Sequence, residues 1–297
     1  MTTEKATTTS YGEMQYTCAT CGNTYTQEIQ PLELGVSNVT SVTVSGSGFK
    51  VKWSKVSGAS GYKLYRKTAS GDYVLAKKTS STSYTDSGLT AGTKYTYVVK
   101  AYNSVQTADE GTSMSYTFIK KTSISSLTST SKGVKIKWKA VSGAKNYVIY
   151  RNGTKVTTTT STSYVDTGAT TNGKAYKYYI LTYVDSSSYS KSAVKKTYYL
   201  KTQAISSAVN KSGKKIQVKY SKNNRATGYQ IQYSTSSKFT SSKTTTKKVT
   251  SYKTVSKTLT KLTKNKTYYV RVRSYKKVSD TVYYGAWSAK KKVKVTK

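Results

Sequence analysis

The sequence predicts an all-β chain, a row of antiparallel β-sandwiches, and three observations carry that expectation. Tyr, Thr and Val, which suit a pleated and half-buried surface, are abundant, with 30 Tyr against three Trp and three Phe. Apolar and polar residues alternate with a period of two. The pattern then recurs at intervals of 80–85 residues. A chain of 297 residues suits two or three modules of about 100 residues each.

The alternation identifies the strands. Phe49, Val51 and Trp53 share one face while Lys50, Lys52 and Ser54 take the other. Val134, Ile136 and Trp138 repeat this, with Lys135, Lys137 and Lys139 outward. A strand with one apolar and one polar face belongs to an antiparallel sheet covered on one side only. No segment carries a 3.6-residue apolar stripe, so helices are not expected.

The repeat places these strands in order. Phe49-Lys-Val-Lys-Trp53, Gly61-Tyr-Lys-Leu-Tyr-Arg66, Ser83-Tyr-Thr-Asp86 and Lys94-Tyr-Thr-Tyr97 form the first copy. Val134–Trp138, Asn146–Arg151, Ser163–Asp166 and Ala175–Tyr178 form the second. Ile216–Tyr220, Gly228–Tyr233 and Thr267–Tyr275 form the third. Trp53 to Trp138 is 85 positions and Trp138 to Tyr220 is 82. The expected boundaries are an N-terminal segment 1–37 and modules 38–121, 122–202 and 203–297. Linkers such as Phe118–Ile124 and Tyr199–Ile205 are short and lack Gly/Pro tracts, which predicts a semi-rigid array. Trp53, Trp138 and Tyr220 are the predicted core anchors. Segment 1–37 is expected to be tied down by little.

The order of a Trp on an early strand, a Tyr-x-Leu/Ile strand, Leu89-Thr-Ala-Gly-Thr-Lys-Tyr95, an alternating Tyr/Val strand and Gly285-Ala-Trp-Ser288 resembles the fibronectin type III fold in bacterial form. The resemblance implies that Tyr95, Tyr176 and Tyr268 are tyrosine-corner residues. The third copy, from Gly228 to Arg273, resembles modules of large surface proteins of gut Firmicutes. That resemblance implies an extracellular or cell-wall location, for a fragment of a longer protein. Residues 1–6 show no basic region and no apolar region of a signal peptide. No run approaches the ~20 apolar residues of a membrane helix.

Charge narrows the partners. The formal net charge is +39, distributed as −3 over residues 1–37, +8 over 38–121, +11 over 122–202 and +23 over 203–297. Only five of the basic residues are Arg: 66, 151, 225, 271 and 273. Lys is a solvated point charge, whereas Arg grips phosphates with a planar fork. The balance points to diffuse attraction to a polyanion, with Lys290, Lys291 and Lys292 as candidate contacts. Nucleic acid is expected to bind only non-specifically, because no recognition helix, finger or base-stacking motif is written in the chain.

Candidate chemistry is sparse. His is absent, which removes the most frequent general base and metal ligand. Cys18-Ala-Thr-Cys21-Gly22 resembles small Cys-x-x-Cys-Gly repeats found beside such modules. Zinc there would need two further ligands, so a disulfide or free thiols is the preferred expectation, and no cofactor is expected. Asp86 and Asp166 stand at equivalent turns and read as structural, bonding their own backbone. Tyr102, Tyr183 and Tyr275 fall on the outer face of equivalent strands, and Tyr198, Tyr199, Tyr283 and Tyr284 add further outward rings, which either stack on sugars or pack across strands. The combined expectation is a non-catalytic structural or adhesive array that holds an anionic wall polymer or glycan. An accessory region of a carbohydrate-active enzyme, or a self-assembling tail or filament component with protein partners, stays open.

Overall fold

The computed structural model describes residues 2–296 and is all-β, with antiparallel strand pairing throughout its sheets. An N-terminal sheet has the order β1-β2-β3, from strands β1 (Thr2–Glu4), β2 (Gly12–Thr17) and β3 (Thr24–Ile29). Strands β4 (Val39–Ser45), β5 (Gly48–Trp53), β6 (Gly61–Thr68), β7 (Val74–Thr79), β8 (Ser83–Asp86), β9 (Lys94–Tyr102) and β10 (Met114–Thr117) follow. They make a sheet β4-β5-β8 and a sheet β10-β9-β6-β7.

The next stretch holds β11 (Ile124–Thr130), β12 (Gly133–Trp138), β13 (Asn146–Arg151), β14 (Thr154–Thr159), β15 (Ser163–Asp166), β16 (Ala175–Tyr183), β17 (Tyr189–Lys191) and β18 (Lys195–Tyr198). One sheet runs β11-β12-β15, and the other is built on β14-β13-β16 with β18 also on β16. The last stretch holds β19 (Ile205–Lys211), β20 (Lys215–Tyr220), β21 (Gly228–Ser234), β22 (Thr244–Val249), β23 (Ser256–Leu259), β24 (Thr267–Val278), β25 (Thr281–Tyr284) and β26 (Lys291–Lys294). Its sheets are β19-β20-β23 and β22-β21-β24-β25, with β26 also on β24.

By compactness the chain forms two units. The first runs up to Lys121 and takes in Val141–Asn146 and Thr182–Lys191. The second takes Thr122–Ala140, Tyr147–Leu181 and the chain from Ser192.

In the first unit Phe49, Val51 and Trp53 of β5 meet Tyr62 and Leu64 of β6 and Tyr97 and Val99 of β9, while Lys50 and Lys52 are exposed. The period-two pattern dictates this, since successive side chains point to opposite sheet faces. In the second unit Ile216, Val218 and Tyr220 pack with Tyr229, Ile231, Val270 and Val272 in the same relation. Burying a side chain of this size contributes about 1.5–3 kcal/mol.

The N-terminal segment departs from expectation. Its sheet is held to the loop after β9: Gln106 Nε2 donates to the carbonyls of Thr8 and Leu32, Asn103 Nδ2 donates to Thr8, and Leu34 N–H donates to Gln106 Oε1. Polar side chains of that loop satisfy backbone groups of the segment, a pairing that no hydrophobic pattern announces.

The outermost strands of the larger sheets are Lys- and Thr-bearing. Lys77 and Lys78 lie on β7, Lys155 on β14, and Lys247 and Lys248 on β22.

Candidate functional site

The predicted anchors lie inside. Trp53, Trp138 and Tyr220 are buried, each edge-on to the tyrosine that opens the next core strand: Trp53 to Tyr62 at 6.0 Å, Trp138 to Tyr147 at 5.6 Å, Tyr220 to Tyr229 at 4.8 Å. Such pairs add about 0.5–1.5 kcal/mol beyond area burial. The Tyr220 hydroxyl donates to the Thr254 carbonyl, whereas the indole N–H groups of Trp53 and Trp138 are buried without a partner among the described residues. The hydroxyls of Tyr95, Tyr176 and Tyr268 each accept an N–H from five residues earlier: Thr90 at 3.0 Å, Thr171 at 3.3 Å and Thr263 at 3.1 Å.

Asp86 and Asp166, read as structural turn residues, also make long-range bonds. Asp86 is buried and accepts both the Arg66 guanidinium at 2.9 Å and the Tyr97 hydroxyl at 2.7 Å. Asp166 repeats this with Arg151 at 2.8 Å and Tyr178 at 2.8 Å, and also accepts its turn's Gly168 N–H. Burial and the bond to the carboxylate push both phenols far above the ordinary tyrosine range. The carboxylates are therefore engaged in holding the fold together. Position for position, the last stretch has Tyr233, Leu259 and Val270 in place of this trio, an apolar solution to the same site.

Of the tyrosines expected to face outward, Tyr199 is instead buried, Tyr275 is 2% exposed, and Tyr102 lies over Gly61 with its ring against that glycine. Lys78 and Lys63 stand 4.7 and 5.5 Å from the Tyr102 ring, and Lys248 4.9 Å from that of Tyr275. Both are cross-strand cover. Tyr183 is half-buried, its ring 5.1 Å from that of Tyr189.

Cys18 and Cys21 sit at the exposed tip of the β2–β3 hairpin as free thiols. The Cys21 N–H donates to Cys18 Sγ at 3.4 Å, and Gly22, at φ 70°, lets the tip close with its N–H on the Cys18 carbonyl. Hydrogen bonding from Cys21 lowers the Cys18 thiol below its ordinary value. A structural zinc needs four donors, and no group of three Cys, His, Asp or Glu gathers among the described residues. Cys18 and Cys21 supply two of those four donors.

Positive charge covers the surface. Lys290, Lys291 and Lys292 are exposed, and Lys290 donates to the Ser237 carbonyl at 3.2 Å. Asp280, the single acidic residue of 203–297, is fully exposed and 3.9 Å from Lys277.

A feature missed in the sequence lies on β24. Arg271 and Arg273, two apart and so on one face, interleave with aromatic rings. Arg271 stands 4.0 Å from the Phe239 ring and 4.5 Å from Trp287; Arg273 stands 4.3 Å from Trp287 and 3.8 Å from Tyr284. Gln232 Oε1 accepts from Arg271 Nε and Nη2, and Gln230 Oε1 from Arg273 Nε. The Arg-x-Arg spacing was readable; the partners come from 11 to 43 residues away and were not.

No helix among the described residues is long and apolar enough to cross a membrane. No curated protein matches the chain. Among solved structures, the crystal structure of chicken CNTN1 FN1-FN3 domains aligns over 89% of this chain and 99% of that one, at 17% identity and TM-score 0.32. The Twitchin kinase region from C. elegans aligns over 30% of this chain and 17% of its own, at 17% identity and TM-score 0.26. Residues 34–115, which span β4 to the start of β10, match the family model of the Fibronectin type III domain.

Proposed function

We propose that the chain is a non-catalytic, extracellular array of three modules, residues 38–121, 122–202 and 203–297, in a bacterial surface protein. It serves as a spacer and attaches to an anionic wall polymer or glycan through its lysines. The observation that carries this is the charge of the last stretch: +23, with exposed Lys290, Lys291 and Lys292 and one loosely paired acid. Uncompensated exposed cations create a potential that gathers polyanions, and salt screens it over ~8 Å at physiological strength.

The test is retention of the full chain on purified anionic wall polymer along a salt gradient. Replacing Lys290, Lys291 and Lys292 by Gln should lower the eluting salt more than replacing Lys135, Lys137 and Lys139. Changing the same three to Arg should leave elution in place, because point charges suffice. Retention that ignores salt, or equal effects of the two Gln triples, overturns the adhesive half of the reading.

A further inference from the structure

Arg66 and Arg151 each meet a carboxylate, but Arg271 and Arg273 meet none among the described residues. Among the described residues their neighbours are ring faces and glutamine oxygens. Half-buried cations without a counter-charge are costly, and burial lowers the Arg273 guanidinium below its ordinary value. Arg273 uses Nε on Gln230 and makes no other hydrogen bond among the described residues. Its two ring neighbours, Tyr284 at 3.8 Å and Trp287 at 4.3 Å, cover guanidinium surface and hold the group in place. The Nη edge is left as donor.

Arg273 also lines a cleft of about 460 Å³ within the second unit, together with Tyr283, Trp287, Thr128 and Thr197. That volume is in the range of small-ligand sites, and the lining combines one fixed cation with aromatic surface and hydroxyls. The Tyr283 ring is itself braced edge-on by Tyr198 at 4.9 Å. A planar fork pairs with a carboxylate through two parallel N–H donors, and a braced ring offers a flat face to a sugar.

We propose that this cleft is a binding site for a carboxylate-bearing sugar, with Arg273 receiving the carboxylate and Tyr283 the ring. The site is separate from the lysine surface and does not require it. Its specificity comes from one oriented donor pair, so it distinguishes an acidic sugar from a neutral one. The lysines cannot do that with a short ligand at physiological salt.

The chain's three Trp make a direct reporter, since only Trp287 lines the cleft. Indole N–H signals of the ¹⁵N-labelled full chain are followed at physiological salt while D-glucuronate, D-glucose or acetate is added. D-Glucuronate should shift the Trp287 signal and leave those of Trp53 and Trp138 in place. D-Glucose should have no effect, and acetate should bind more weakly than glucuronate. Arg273→Gln should weaken glucuronate binding about tenfold or more, the worth of a charged hydrogen bond. Arg273→Lys, which keeps a cation in the ladder, should also weaken it through loss of the fork. Replacing Lys290, Lys291 and Lys292 by Gln should leave the response unchanged, which separates this site from lysine-borne adhesion. An equal response to D-glucose or acetate overturns the proposal. So does unweakened glucuronate binding in the Arg273→Lys chain with all three indole signals native.

Discussion

Gly61 and Tyr102 face each other across β6 and β9, and the phenol covers the glycine so closely that a Cβ there would stand 2.5 Å from its hydroxyl. The same relation joins Gly228 to Tyr275, where that distance would be 3.0 Å. A ring laid over a strand glycine restores the packing the glycine lacks. Gly61→Ala should therefore destabilise the first unit by about 1–3 kcal/mol, the cost of overpacking, although alanine ordinarily suits a strand better. Tyr102→Ala in the same chain should recover much of that loss. A urea-unfolding double-mutant cycle measures the coupling, and additive effects would contradict the contact.

The Arg66–Asp86–Tyr97 trio makes a graded series. Asp86→Ala strands a mostly buried guanidinium and should cost about 3–5 kcal/mol. Tyr97→Phe removes one hydrogen bond and should cost about 1 kcal/mol. The combined change Arg66→Tyr, Asp86→Leu and Tyr97→Val copies the last stretch and should be milder than Asp86→Ala alone. Denaturant midpoints rank the three, and a combined change worse than Asp86→Ala would refute the equivalence.

Trp53→Ala and Trp138→Ala should each cost about 3–5 kcal/mol, because a large buried ring is lost on an inward strand face. Lys52→Ala, on the exposed face of the same strand, should cost about 0.5 kcal/mol or less. Thermal melts of the three variants check this, and similar shifts for Trp53 and Lys52 would mean that the strand phase is wrong.

High pH should unfold the protein cooperatively. Burial, the leading cause, pushes the Tyr116 phenol up to about 12. An unfolded tyrosine ionises near 10, so above that pH the unfolded chain releases protons that the folded one keeps. Stability contributed by this group is whole below pH 10 and falls as pH rises toward 12. Tyr97, Tyr178 and Tyr220 are shifted in the same direction by burial. Phenolate absorbance and circular dichroism followed together should show a late group of tyrosines ionising with the loss of sheet. Ionisation of every tyrosine near 10 with the sheet intact would contradict it.

The legible part of the fold is the part governed by alternation. Phe49, Val51 and Trp53 point inward because period two leaves them no other face, and the repeat carries that result to Val134 and Ile216. Long-range polar pairings were not legible. Asp86 meets Arg66 and Tyr97 across two sheets, and a Ser-Tyr-Thr-Asp-Ser-Gly turn reads locally as a backbone cap. Gln106 holding Leu32 is of the same kind. The Arg273 cleft escaped notice because Trp287 and Thr128 become neighbours only after β11 and β25 are both in place.

The lysines of the outermost strands have a second office. β7, β14 and β22 each end a sheet with one side of the backbone unpaired among the described strands, and such edges invite pairing with another chain. Lys77, Lys78, Lys155, Lys247 and Lys248 guard them by repulsion between like copies. That guard depends on the charges staying naked. A polymer that neutralises them would also disarm the edges, so copies crowded along one anionic strand would meet with their defence removed. Attachment and lateral clustering would then be two readings of a single electrostatic event.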